Sequence, residues 1–168
     1  LTLTDPDRAQ RDRAHEFVRG IAELGAAFGA PTIIGSMQGR SGDQTPRDAL
    51  ARLAEEMAAL AEVAGAAGGG LLLEPLNRYE TDLCNTLQDG VSLLEQAGSD
   101  HLGLLADLFH MNIEERDVGA ALHAAGGAVR HLHFVDSNRR PAGSGHLAYR
   151  PVAEALRAVG YRGWASAE

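Results

Sequence analysis

The sequence contains no lysine, and all 15 of its basic side chains are arginine. Within these residues that absence removes Schiff-base aldol chemistry, a pyridoxal-phosphate anchor and a Walker-type phosphate loop, since each depends on a lysine amine. Cysteine is almost absent too. Cys84 is the single one, so no internal disulfide forms, no paired-cysteine zinc motif exists, and nothing points to an oxidising compartment. The expected compartment is the cytoplasm, and Cys84 itself reads as a small buried side chain. A G-x-S-x-G nucleophile elbow is also missing. No window reaches the roughly 18 uninterrupted apolar residues of a membrane span. Leu1 and its Thr/Asp-rich neighbours resemble neither a signal peptide nor a translation start.

What is present is acidic. With 23 Asp and Glu residues the formal net charge is −8, and a surface of that sign repels nucleic acid and anionic membranes. A small neutral molecule is the compatible partner. The 168 residues, 45% hydrophobic and 23% charged, suffice for one folded domain, 1–168, with a real core. The chemistry left open is acid–base or metal chemistry by Asp, Glu, His and Arg.

Helical and strand patterns alternate along the chain. Asp5 is expected to cap a first helix with Pro6 at its first position; Phe17, Val18, Ile21, Leu24 and Phe28 form one stripe, and Gly29 ends it. "PTIIG" reads as a short strand. The polar run "GRSGDQTPRD" reads as an exposed loop whose "TPRD" starts a second helix bearing Leu50, Leu53, Met57, Leu60 and Ala64. "NTLQ" and "NIEE" carry the Asn-x-x-Gln/Glu spacing of further capping-box starts. "LLLE", "LGLLAD", "VRHLHFVD" and "WASAE" are the later strands. Between the last two, Pro151, Val152, Ala155, Leu156 and Val159 suit a helix that Gly160 ends.

Short apolar strands separated by helices predict crossover connections and a parallel sheet, hence an α/β protein. Glu74, Asp107, His133 and Glu168 lie 33, 26 and 35 residues apart, near one strand-plus-helix unit each, and each marks the same end of a strand. Such ends share one edge of a parallel sheet, and in a closed barrel they surround one mouth. An acid ending a greasy strand loses several kcal/mol of hydration unless paired, and a metal ion is one such partner. The ordinary alternative at any single position is a cap on the next helix. His131 and His133 face the same side of their strand, so one can be a core histidine and the other a ligand, His133 being nearer the strand's end. Arg139 and Arg140 can equally form a solvated loop pair.

Taken together, "LEPLNRYETDLCN", "DLFHMNIEE", "HLHFVDSNRRPAGSGH" and the terminal "SAE" resemble the xylose-isomerase-like sugar isomerase/epimerase superfamily, most nearly its D-tagatose and D-psicose 3-epimerase group. The resemblance spans the chain and is strongest from Leu71 onward. It implies a (β/α)₈ TIM barrel holding one divalent ion, Mn²⁺, Co²⁺ or Mg²⁺, with zinc not excluded by ligand type. Carried over by position, Glu74, Asp107, His133 and Glu168 match metal ligands. Glu74 and Glu168 match the two acid–base catalysts, and Glu80, His110 and Arg139 match substrate contacts. The implied activity is epimerisation of a ketose at C3 through an enediolate. The alternatives are an aldose–ketose isomerase resembling hydroxypyruvate isomerase, and a non-catalytic sugar- or metal-binding barrel. Metal-dependent endonucleases of the same superfamily resemble sites richer in histidine and need a basic approach surface.

A complete barrel of this type takes about 250 residues. The five strands read here therefore predict an incomplete barrel, lacking its N-terminal strands and last helix, from a longer and homo-oligomeric protein. The isolated polypeptide is expected to be inactive and aggregation-prone at its open strand edges. In "GHLAY", Ala148 stands where relatives often carry Asp.

Overall fold

The computed structural model of the chain describes residues 1–167. It contains five strands: β1 (Thr32–Ile34), β2 (Leu71–Leu73), β3 (Leu102–Asp107), β4 (Val129–His133) and β5 (Trp164–Ser166). All neighbouring pairs are parallel, and the spatial order is β1-β2-β3-β4-β5. Spatial order equal to chain order means that every crossover winds the same way. A doubly wound sheet would reverse at a switch point; this progression is that of a barrel wall. The helix α1 (Arg8–Ala27) precedes β1, and α2 (Pro46–Ala66), α3 (Leu87–Ala97), α4 (Leu108–Glu114), α5 (Val118–Ala125) and α6 (Tyr149–Ala158) supply the connections.

The central strands are buried on both faces, as all-parallel strands require: every residue of β2 and β3 is inaccessible. Leu71, Leu73, Leu102, Leu104 and Ala106 join the large cluster that includes Leu53, Met57 and Leu60 of α2. The stripe expected on α2 is thus the packed one. α2 also starts where "TPRD" places it, with Thr45 Oγ1 accepting from Asp48 N and Pro46 in the first position.

Other starts differ from expectation. α1 is capped by Asp7, whose carboxylate accepts from Ala9 N, not by Asp5; Asp5 instead accepts from Asp7 N. For α3 the cap is Thr86, one residue after Asn85, in a complete capping box with Asp89. Asn112 of "NIEE" lies inside α4, because Asp107 has already begun that helix and Asp117 begins the next. A local Asn-x-x-Glu pattern loses to a stronger cap five residues upstream.

Of the stripe read on α1, only Val18 is core. Ala14, Val18 and Ala22 are buried, whereas Phe17, Ile21, Leu24 and Phe28 are exposed. Small residues allow α1 to press on β1 and α2, and the larger apolar residues stand on one flank of that contact stripe. Ile33 and Trp164, on the two outer strands, are exposed as well. The "GRSGDQ" run is not simply a solvated loop either: Gly39 and Ser41 are buried, and Ser41 is held by both oxygens of Asp82.

α6 has a weak start. Its N-cap position is Ala148, in extended conformation with no side-chain bond, and Pro151 in the third helical position has no N–H to offer. Arg150 N–H is the donor that a capping side chain would take. Replacing Ala148 by Ser is expected to stabilise the complete protein by about 1 kcal/mol, read as a higher urea midpoint with an unchanged m-value.

Candidate functional site

The register of two strands creates the site. Asp107 and His133 are partners across β3 and β4, so their side chains leave the sheet side by side at its C-terminal edge. His133 Nδ1 lies 3.1 Å from Asp107 Oδ2 and 3.6 Å from Glu74 Oε1. Glu74 directly follows β2, with its backbone N–H bonded to Ile34 O at 3.0 Å. Asp107 is 1% exposed and Glu74 8%. Two carboxylates thus meet one imidazole in a largely water-excluded place.

Asp107 is a helix cap with one oxygen and leaves the other at the site. Oδ1 caps α4, accepting from Phe109 N at 2.8 Å and His110 N at 3.0 Å. Oδ2 faces the site. Of the two histidines on β4, His133 faces these carboxylates and His131 does not. His131 Nε2 bonds Ser166 Oγ at 2.8 Å, and burial followed by the nearby His133 holds its pKa below the usual histidine value. It is a hydrogen-bonded strut between β4 and β5.

The remaining expected residues gather around this centre. His110 is 1% exposed, with Nε2 3.9 Å from Glu74 Oε1 and Nδ1 3.9 Å from Glu80 Oε1. Arg139 Nη1 lies 3.7 Å from Glu80 Oε1, and its guanidinium sits 5.2 Å above the Phe109 ring, in cation–π range. Arg140 is exposed and belongs to the loop surface. Glu168 lies outside the described residues; Ser166, two positions before it, is in register with His133.

Ligand atoms of Glu74, Asp107 and His110 lie within 4.8 Å of one another, and His133 Nδ1 stands beside the two carboxylates of that group. Carboxylate oxygens with imidazole nitrogen form a hard-to-borderline set, which suits a divalent ion such as Mn²⁺, Co²⁺ or Mg²⁺. A small residue maintains the space: a Cβ on Gly35 would stand 2.8 Å from Glu74 Oε2.

Three supporting residues escaped sequence reasoning. Gln38 is fully buried, and its Nε2 donates to Glu74 O at 3.0 Å. Asn77, also buried, touches both His110 and Glu80. Asp136, fully buried, organises the loop carrying Arg139. Its Oδ1 accepts from Ser137 N at 2.7 Å and Leu147 N at 3.2 Å, and Oδ2 from Gly143 N at 2.8 Å. Burial pushes the Asp136 carboxyl up, but the N–H groups of Ser137, Gly145 and Leu147 outweigh it and hold the pKa well below the carboxylate range. Arg139 has φ of 56°, the one positive value for a non-glycine residue among those described; such backbone persists only where its surroundings enforce it. The one available signal was the run "VDSN" with Gly143 and Gly145 close behind.

Asp136 supports the loop most strongly while ionised. A depressed folded pKa adds stability above the unfolded value near 3.9, and that stability is lost as pH falls through the folded value. Trypsin at neutral pH is expected to spare Arg139 in the parent protein. In Asp136→Ala it should cut there, and survival of the loop in that variant would refute the role.

A family model described as Xylose isomerase-like TIM barrel matches residues 1–168. An L-ribulose 3-epimerase of Mesorhizobium japonicum is 36% identical over 162 residues, covering 95% of this chain and 54% of that protein. A D-psicose 3-epimerase of Ruminiclostridium cellulolyticum is 40% identical over 112 residues, 67% of this chain and 38% of that protein. The crystal structure of D-psicose 3-epimerase with D-tagatose from Clostridium cellulolyticum superposes with a TM-score of 0.91 at 31% identity, covering 99% of this chain and 60% of that one. The chain spans about half the length of the curated L-ribulose 3-epimerase it matches.

Proposed function

The chain belongs to the xylose isomerase-like TIM barrel family, and from that membership and its rim of acids and imidazoles we propose that the complete protein is a metal-dependent ketose 3-epimerase. The observation that carries the proposal is the convergence of Glu74 Oε1 and Asp107 Oδ2 on His133 Nδ1. The names of the relatives at 36% and 40% identity, L-ribulose and D-psicose 3-epimerase, support a ketose as substrate.

Glu74, Asp107 and His133, with Glu168 by family resemblance, would hold the ion. When bound, it supplies Lewis-acid stabilisation of negative charge developing on the substrate oxygens. The chain's own groups do the proton work. One carboxylate of Glu74 and Glu168 removes the C3 proton, the other returns one to the opposite face, and the roles exchange in the reverse direction. His110 and Arg139 donate hydrogen bonds to the oxygen on C2, where the enediolate charge accumulates. Glu80 accepts from a substrate hydroxyl and anchors the Arg139 guanidinium. Burial of Glu74 and His110 keeps bulk water from competing for these contacts. The proposal includes a homo-oligomer acting on a small sugar in the cytoplasm; among the described residues no helix is long and apolar enough to cross a membrane.

With Mn²⁺ and a panel of ketoses in deuterated water, the complete protein is expected to incorporate label at C3, and Glu74→Gln to abolish it. Label confined to C1 or C2 would make the protein an aldose–ketose isomerase. Failure to exchange any ketose, with the ion bound, would leave a binding protein.

The cap and ligand roles of Asp107 can be separated. Asp107→Asn keeps an oxygen for Phe109 N and His110 N, so it is expected to retain the fold and lose metal affinity at least tenfold. Asp107→Ala should lose both affinity and about 1 kcal/mol of stability. Equal metal affinity in Asp107→Asn and the parent, by calorimetric titration, would remove Asp107 from the ligand set.

A further inference from the structure

Asn77 follows Glu74 by three residues, in the loop that also carries Glu80, and is 2% exposed. Its amide orientation is fixed by a group that can only donate: Tyr79 N–H bonds Asn77 Oδ1 at 3.0 Å. Nδ2 is therefore the other atom, 2.9 Å from Glu80 Oε1 and 2.8 Å from His110 Nδ1. The Asn77 backbone N–H also points at His110 Nδ1, 3.2 Å away. Two donors meeting one ring nitrogen leave it no room for a proton of its own. A neutral His110 must then carry its proton on Nε2, the nitrogen that faces Glu74 at 3.9 Å.

We propose that Asn77 is a positioning residue that holds His110 as its Nε2–H tautomer and aims Glu80 at the same space. His110 thereby presents a donor, not a lone pair, to the substrate oxygen beside Glu74. This separates two imidazoles that distance alone does not. His110 falls within the 4.8 Å group of possible ligands, but a protonated Nε2 has no electron pair for a metal, so ligation passes to His133. The salt link from Arg78 to Glu114 secures the arrangement: Nε and Nη2 each lie 2.9 Å from a Glu114 oxygen, tying the Asn77 loop to the helix that carries His110. That the donor serves a ketose oxygen rests on the epimerase reading; the tautomer does not.

The test uses the complete protein, labelled with ¹⁵N-histidine and loaded with diamagnetic Mg²⁺, with His110→Gln identifying the His110 signals. The parent is expected to show a bare Nδ1 and a protonated Nε2. In Asn77→Asp an acceptor replaces the donor facing Nδ1, so Nδ1 should become protonated and kcat should fall about 100-fold, the usual loss for one misplaced donor at a developing oxyanion. Asn77→Ala keeps the backbone donor and frees Glu80, so Nδ1 should stay bare while KM rises several-fold. A protonated Nδ1 in the parent would overturn the proposal. So would an Asn77→Asp protein with bare Nδ1 and parental kcat; if that variant does not fold, the parent and Asn77→Ala spectra decide. A bare Nδ1 in a parent that exchanges no ketose at C3 would sink the epimerase reading and leave the tautomer standing.

Discussion

Two carboxylates held beside one imidazole in a place with little water are the constraint on which the rest depends. Each burial is costly unless a counter-charge is present, and the fold commits three segments to it. Asp107 and His133 are fixed as neighbours by the parallel register of β3 and β4. Glu74 arrives from the adjacent strand, its backbone clasped between Ile34 O and Gln38 Nε2, and Gly35 leaves room for its carboxylate. A one-residue slip in either strand would turn Asp107 or His133 to the opposite face. The apolar packing of Leu71, Leu73, Leu104 and Ala106 against the helices makes such a slip expensive. Core and site are thus two consequences of one alternation.

Around that centre the loops act through hydrogen bonds to backbone. Asp136 gathers N–H groups from Ser137, Gly143 and Leu147 and so shapes the turn that presents Arg139. Asn77 takes Tyr79 N–H on one atom and directs the other at Glu80 and His110. Their effect is to reduce the freedom of the long side chains that would meet a substrate, which lowers the entropic cost of binding it.

Strands and their ends were legible in the sequence because short apolar runs ending in Glu74, Asp107 and His133 encode both burial and edge position. The roles assigned to those ends come from family resemblance and stay with the proposal. Helix starts were less legible: "NIEE" carries a good local pattern, yet Asp107 caps α4 first because it is already fixed by β3. The α1 stripe misled for a different reason. Periodicity reports which residues share a face, not whether anything covers that face, and Phe17, Ile21, Leu24 and Phe28 stand exposed. Asn77 and Asp136 were illegible because their partners, Glu80, His110 and Tyr79 N–H for the one and loop N–H groups for the other, come close only in the folded chain. No spacing rule records that.

The most direct measurement is anomalous diffraction at the manganese edge from crystals of the complete protein grown with Mn²⁺. The expected result is one peak within bonding distance of a Glu74 oxygen, Asp107 Oδ2 and His133 Nδ1, with His110 Nε2 outside that distance. No peak among these residues, or a peak ligated by His110 in place of His133, would contradict the account.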